Sequence, residues 1–335
     1  SPTVAPLEDT NGDGIIGPGD IATIIYKTSG NYVALDGKTG KLKFTFSGSG
    51  SQEVAAVADL DKDGIPEIIV KNGSKLTIYN NKGVVKKEFP VSSLSASGWS
   101  SDAYHPNVAD LDKDGIPEII INNKVINYEK GVILDNLLSG QTQAIADVNG
   151  DGQLDIIGLQ GAVDLNGNLL YRFKNKNGSQ LSLKFLAIGD VLGSSKPQVI
   201  AIYGSTIYIF DAQTGAEIAS YHAPSSAGGS PVIADFDGDG IADIGLARTY
   251  NYVAIRGDGS VIWSTPISDG SGGTGSTVFD FDNDGKLEAV HFDEQNIRVC
   301  DAATGIERIK IANSTATAHE YPIVVDADAD GHADI

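Results

Sequence analysis

Acidic residues in this chain recur in one pattern, Asp-x-Asp/Asn-x-Asp-Gly, beginning at residues 9, 59, 110, 147, 235, 280 and 326. Two of the copies lie in an identical dozen, ADLDKDGIPEII, at 58–69 and 109–120. Carboxylates at loop positions 1, 3 and 5 can converge on one point, and the glycine after them permits the sharp turn. Oxygen-only donors of this kind select a hard cation, Ca²⁺ ahead of Mg²⁺. A simple Asp-Gly turn needs a single acid, and several unneutralised carboxylates held within a few ångströms would repel one another.

The donor sets follow from the spacing. Two loops offer Asp59, Asp61, Asp63, the Ile65 carbonyl and Glu67, then Asp110, Asp112, Asp114, the Ile116 carbonyl and Glu118. Next come Asp147, Asn149, Asp151, Gln153 and Asp155, and Asp235, Asp237, Asp239, Ile241 and Asp243. The last two are Asp280, Asp282, Asp284, Lys286 and Glu288, and Asp326, Asp328, Asp330, His332 and Asp334. In each, position 7 gives a backbone carbonyl and position 9 closes the shell. The first copy has Asp9, Asn11, Asp13 and Ile15, with Asp20 at position 12.

An EF-hand requires its closing acid at position 12 and helices on both sides. Here the acid falls at position 9, and the runs that follow, such as IIV and III, read as buried strands. The first copy looks like half of a dockerin, but no second such loop stands beside it, so it reads as a lengthened first repeat. Residues 181–200 keep Asp190 and lack the other acids. About seven Ca²⁺ ions are therefore expected, with the fifth unit empty.

What positions the loops is a repeated set of strands. Each loop is followed by a short β-hairpin, from YVALDGKTGKLKFTF in the first unit to IRVCDAATGIERIKI in the seventh. Adding the strands on either side of each loop gives four strands per unit and no helix, the mark of a β-propeller. The expected fold is all-β: one seven-bladed propeller over residues 1–335, with four-stranded blades. A C-terminal strand near 322–335 would close the ring against the N-terminal blade. Eight first-strand segments accompany the seven hairpins, so an eighth, truncated blade is the alternative.

Loop, hairpin and period together resemble the FG-GAP/VCBS repeats of integrin α-subunit head domains and of bacterial and fungal surface propeller lectins. The resemblance implies Ca²⁺ in the loops between first and second strands on one face, and ligand binding on the opposite face.

Composition agrees with a large folded β domain. The 335 residues are 41% hydrophobic, and the 40 glycines are spread through turn-like tracts. The net charge of −20 argues against nucleic acid or an anionic membrane as partner. More than half of the 44 acids lie in the loops, and seven divalent ions would cancel most of that charge. No run approaches the roughly 20 apolar residues of a membrane span. The single cysteine, Cys300, excludes an internal disulfide framework and reads as a buried strand thiol. Sites of extracellular affinity need millimolar calcium, so the expected location is secreted or cell-surface. Ser1 reads as the start of a mature or trimmed chain, and the expected setting is a longer multidomain surface protein.

Ligand candidates lie in the connections between blades, at the strand ends opposite the acidic loops. They are Trp99, Tyr104 and His105, then His222, then His319, Glu320 and Tyr321. Aromatic rings beside polar groups suit sugar stacking, and the same rings could instead pack a central channel. The expected function is recognition or adhesion through a glycan or protein ligand. A polysaccharide lyase using a Tyr–His pair, or another carbohydrate-active propeller enzyme, is one alternative, although no dense Arg/Lys set is present to neutralise a uronate. A structural spacer is the other. Arg-Gly-Asp at 256–258 falls in an expected hairpin turn, and Asn72, Asn177 and Asn313 begin glycosylation sequons.

Overall fold

The computed structural model describes residues 2–28, 30–49, 54–91, 105–135, 137, 142–222, 228–314 and 321–335. Seven four-stranded antiparallel sheets, each of four consecutive strands, form the blades of an all-β, seven-bladed propeller. No helix occurs among the described residues.

The chain divides into two compact units, residues 1–145, 163–168 and 325–335, and residues 146–162 and 169–324. In the first unit, blade one is β1 (Thr3–Pro6), β2 (Ala22–Lys27), β3 (Asn31–Asp36) and β4 (Leu42–Ser47). Blade two is β5 (Ala56–Ala58), β6 (Glu67–Asn72), β7 (Lys75–Tyr79) and β8 (Val85–Pro90). Blade three is β9 (Asn107–Ala109), β10 (Glu118–Ile121), β11 (Lys124–Asn127) and β12 (Gly131–Leu134). The fourth sheet contains β13 (Thr142–Ala146), β14 (Asp155–Gly158), β15 (Gly161–Val163) and β16 (Leu169–Arg172).

In the second unit, blade five is β17 (Phe185–Gly189), β18 (Gln198–Tyr203), β19 (Thr206–Asp211) and β20 (Glu217–His222). Blade six is β21 (Val232–Ala234), β22 (Asp243–Arg248), β23 (Asn251–Ile255) and β24 (Val261–Pro266). Blade seven is β25 (Ser276–Phe279), β26 (Glu288–Phe292), β27 (Asn296–Asp301) and β28 (Glu307–Ala312).

Burial explains the sequence runs. Strands β6, β10 and β22 are buried along nearly their whole length, so they read as continuous apolar stretches rather than alternating ones. Strand β28, at the edge of its sheet, is exposed throughout. Between blades two and three, Leu60, Ile69, Ile78, Phe89, Ile119 and Ile126 form one core cluster. In the second unit Phe185, Ile200, Ile209, Ile244 and Leu246 form its counterpart between blades five and six.

The hairpin of strands three and four repeats a bulge. The register shifts at Ala34/Leu35, Ile78/Tyr79, Val125/Ile126, Ile209/Phe210, Ala254/Ile255 and Val299/Cys300. Three of these hairpins share a turn in which an aspartate accepts from the backbone N–H and hydroxyl of a threonine: Asp36 from Thr39, Asp211 from Thr214 and Asp301 from Thr304. Gly305 ends the last of them at φ +70, with the Trp263 ring against its Cα. The Trp263 Nε1–H donates to the Ala302 carbonyl at 2.6 Å.

Blade one takes all four of its strands from residues 3–47. The eighth loop has no sheet of its own. Val325 and Asp334 bridge across it, and within the first unit the Ala22 N–H donates to the Ala327 carbonyl at 3.0 Å.

Candidate metal centres

One pattern of backbone hydrogen bonds shapes the acidic loops. The position-1 carboxylate accepts from the position-6 N–H: Asp59 from Gly64 at 2.9 Å, Asp110 from Gly115 at 2.8 Å, Asp326 from Gly331 at 2.8 Å. Position 5 accepts from position 7, as in Asp63 from Ile65 at 2.8 Å and Asp239 from Ile241 at 2.8 Å. The glycine at position 6 lies at positive φ, +82 for Gly64 and +88 for Gly331, a conformation that a side chain would strain.

A third bond ties the loop to the core. The position-9 acid accepts from the N–H of position 2: Glu67 from Leu60 at 2.9 Å, Glu118 from Leu111 at 3.1 Å, Asp243 from Phe236 at 3.0 Å, Asp334 from Ala327 at 3.0 Å. The side chains of Leu60, Leu111 and Phe236 are buried, so hydrophobic packing sets where the acids stand. In the lengthened first loop Asp20 fills this place, accepting from Thr10 at 2.7 Å and Gly17 at 2.9 Å. Those N–H groups hold its carboxyl below the ordinary range.

Five carboxylate clusters result among the described residues: Asp59, Asp61 and Glu67; Asp110, Asp112 and Glu118; Asp235, Asp237 and Asp239; Asp280, Asp282 and Glu288; and Asp326, Asp328 and Asp334. In each, one oxygen per residue lies within 4.8 Å of the others. Several acidic clusters could thus hold metal ions. The oxygens themselves test the fit. Oδ1 of Asp59, Asp61, Asp110 and Asp328 is buried with no hydrogen-bond partner. A buried, unpartnered carboxylate oxygen is costly, and a divalent cation is the partner that the donor chemistry suits. Burial pushes the carboxyls of Glu67, Glu118 and Asp155 up, and that of Asp243 up to about 6.

The loops at 9 and 147 carry asparagine at position 3. Asn11 Nδ2 donates to Asp13 at 3.3 Å, and Asn149 Nδ2 donates to Asp151 at 3.1 Å. The position-7 residues Ile15, Ile65 and Ile241 expose their side chains, consistent with only the backbone being needed there.

Loop 190 differs in kind. Gln198 stands where the other blades place the position-9 acid, and its Oε1 accepts from Val191 at 2.9 Å. Its Nε2 donates to the Lys196 carbonyl at 2.5 Å and to Ser194 Oγ at 3.0 Å. Asp190 is saturated by Ser194 and Ser195, which hold its carboxyl down against the effect of burial.

Three basic residues that the sequence reading did not assign to the loops reach into the clusters. Lys86 Nζ on β8 lies 2.8 Å from Asp61 and 2.7 Å from Glu67. Arg308 on β28 lies 3.2 Å from Asp282 and 2.7 Å from Glu288, the latter outside hydrogen-bond geometry, and 3.1 Å from Asp301. Arg256, the arginine of Arg-Gly-Asp, pairs with Asp237. A lysine or arginine on an exposed outer strand carries no spacing signal, and only the hairpin's return over the loop reveals its role.

Of the ligand candidates, Trp99, Tyr104, His319 and Glu320 lie outside the described residues. His105 is half-buried. His222 is exposed, its Nδ1 3.3 Å from Ser205 Oγ and 3.5 Å from Thr206 Oγ1. Tyr321 packs its ring on Gly275, and its hydroxyl lies 3.3 Å from Ser230 Oγ. His222 thus meets residues of its own blade, whereas Tyr321 meets the segments that lead into blades six and seven.

Fold and loops define a propeller of acidic-loop blades, and comparison with known proteins agrees. Residues 59–121 match the FG-GAP-like repeat family. The fold is similar to that of the V. cholerae biofilm matrix protein Bap1, with TM-score 0.80, 19% identity, and coverage of 99% of this chain and 83% of that one. It is also similar to rhamnogalacturonan lyase YesW, with TM-score 0.63, 19% identity, and coverage of 99% and 70%. BamB from Moraxella catarrhalis follows at TM-score 0.51, 14% identity, and coverage of 90% and 81%. At these identities the likeness is one of fold alone. No curated protein sequence matches the chain. No helix among the described residues is long and apolar enough to cross a membrane.

Proposed function

We propose that this chain is a calcium-stabilised recognition module that works outside the cell and binds a glycan or protein ligand. One observation carries the reading: buried carboxylate oxygens without partners, repeated at Asp59, Asp61, Asp110 and Asp328 in loops of one design. Such loops fold at least cost where calcium is millimolar. A site with a dissociation constant of about 10⁻⁴ M then gains about 1.4 kcal/mol.

The ligand side is supported by the likeness in fold to a biofilm matrix protein and to a rhamnogalacturonan lyase. Surface and carbohydrate roles both sit on this fold. The candidate residues are His105, His222 and Tyr321, together with Trp99, Tyr104, His319 and Glu320. A screen of the chain against polysaccharides and surface proteins, with and without calcium, tests the reading. Calcium-dependent retention of at least one polysaccharide or protein is the expected result. New unsaturated-sugar absorbance on incubation with anionic polysaccharides would replace recognition with lyase activity. No binding at any calcium level would leave a spacer.

A further inference from the structure

The acidic loops do not meet the same surroundings. In the loop at 59, the Lys86 ammonium touches two of the three cluster carboxylates, Asp61 at 2.8 Å and Glu67 at 2.7 Å. In the loop at 280, the Arg308 guanidinium does the same to Asp282 at 3.2 Å and Glu288 at 2.7 Å. Both residues occupy the second position of the outer strand of their blade, so the hairpin delivers them to one place over positions 3 and 9.

Loop 110 is built otherwise. Its outer strand has Ile133 at the matching bulge, Glu118 Oε1 accepts from the neutral amide of Asn127 at 2.9 Å, and the Lys62 ammonium donates to the Asp114 backbone carbonyl at 2.6 Å rather than to a cluster carboxylate. At loop 326, no ion pair among the described residues reaches Asp326, Asp328 or Asp334. Arg256, which meets only Asp237, makes a single such contact at loop 235.

We propose that Lys86 and Arg308 are tethered counter-ions that make the loops at 59 and 280 a weaker class of divalent-ion site than the loops at 110 and 326. The inference rests on the calcium reading above. A fixed positive charge beside the cage opposes an entering dication, so the ion must push the ammonium or guanidinium aside or share carboxylates with it. The same charge neutralises the acids when calcium is scarce and keeps the ion-free blade folded. The chain would therefore fill its sites in two steps as calcium rises.

The test is calcium titration of the full chain by calorimetry, with equilibrium dialysis for stoichiometry and melting in EDTA as a separate readout. Wild type should show two classes of site. Lys86→Met combined with Arg308→Met should move the weaker class to about tenfold lower calcium, the effect of one unit charge about 6 Å from a dication under solvent screening. The same double variant should melt lower than wild type in EDTA. Lys86→Arg with Arg308→Lys keeps both charges and should keep both classes, so it separates charge from packing if the methionine variant is poorly folded. An unchanged titration in the methionine variant, or a lost weak class in the charge-conserving one, overturns the inference and leaves calcium binding intact. A wild type that takes up no calcium overturns both.

Discussion

Glu67 and Gln198 occupy the same place in two blades, and one atom separates them. Each accepts a 2.9 Å hydrogen bond from the N–H two blade positions into its loop, Leu60 for one and Val191 for the other. Beyond that bond the two diverge. The glutamate leaves a second oxygen for a cation, whereas the amide nitrogen of Gln198 turns inward and binds the Lys196 carbonyl and Ser194. The loop at 190 therefore needs nothing from solution, and Asp190→Asn should leave the calcium stoichiometry unchanged. Asp59→Asn removes a buried oxygen that no protein group satisfies. It should cost one bound ion and lower the melting temperature in calcium by a few degrees, with little change in EDTA, as dialysis and calorimetry can check.

A second residue-scale prediction concerns His291. The ring is fully buried, stacks on Tyr252 at 4.6 Å and lies 3.8 Å from Cys300 Sγ. Burial lowers its pKa to about 4, so the folded state holds it neutral while an unfolded chain takes up a proton near pH 6.5. Its contribution to stability is present above about pH 6.5 and is lost as pH falls toward 4. His291→Phe keeps the stacking and should flatten that part of the stability curve, read as the difference between the two proteins' melting temperatures from pH 7 to pH 4. A difference that does not vary with pH would contradict a neutral buried imidazole. Burial also pushes the Cys300 thiol up to about 11, which suits a strand thiol rather than a nucleophile.

At the scale of elements, the repeating unit is a loop, a buried strand pair and a bulged hairpin that returns over the loop. The sequence shows most of this. Acid spacing marks each loop, continuous apolar runs mark β6, β10 and β22, and turn residues mark the hairpins. What the sequence conceals is how the parts meet. Lys86 and Arg308 lie on exposed outer strands where basic residues are ordinary, so only the fold shows them touching the clusters. Asp20 sits at position 12 by counting, yet three extra residues bring it to the place of a position-9 acid. Hairpin docking gives a prediction of its own. Gly305→Ala puts a methyl group at φ +70 into the Trp263 ring and should destabilise by about 2–4 kcal/mol in urea unfolding. A loss below about 0.5 kcal/mol would mean that the ring does not rest on that turn.

For the whole molecule, charge and stability are one question. A net charge of −20 drives a compact chain apart, and most of that excess is concentrated in the loops at the head of each second strand. The seven four-stranded blades were legible from seven hairpins and a regular period, because a repeat that cannot bury its faces alone must stack on its neighbours. Ligand chemistry was far less legible. Aromatic and histidine residues between blades serve packing as readily as recognition, as Tyr321 on Gly275 shows. If the loops hold calcium, the ions belong to the fold, and stability should follow calcium concentration over the range in which the sites fill.

The most direct measurement is the calcium content of the purified full chain together with its melting temperature as calcium is added after exhaustive EDTA treatment. The account predicts several bound calcium ions per chain and a melting temperature that rises by ten degrees or more between EDTA and about 1 mM calcium. No bound calcium, with the same melting temperature in EDTA and in calcium, would contradict it.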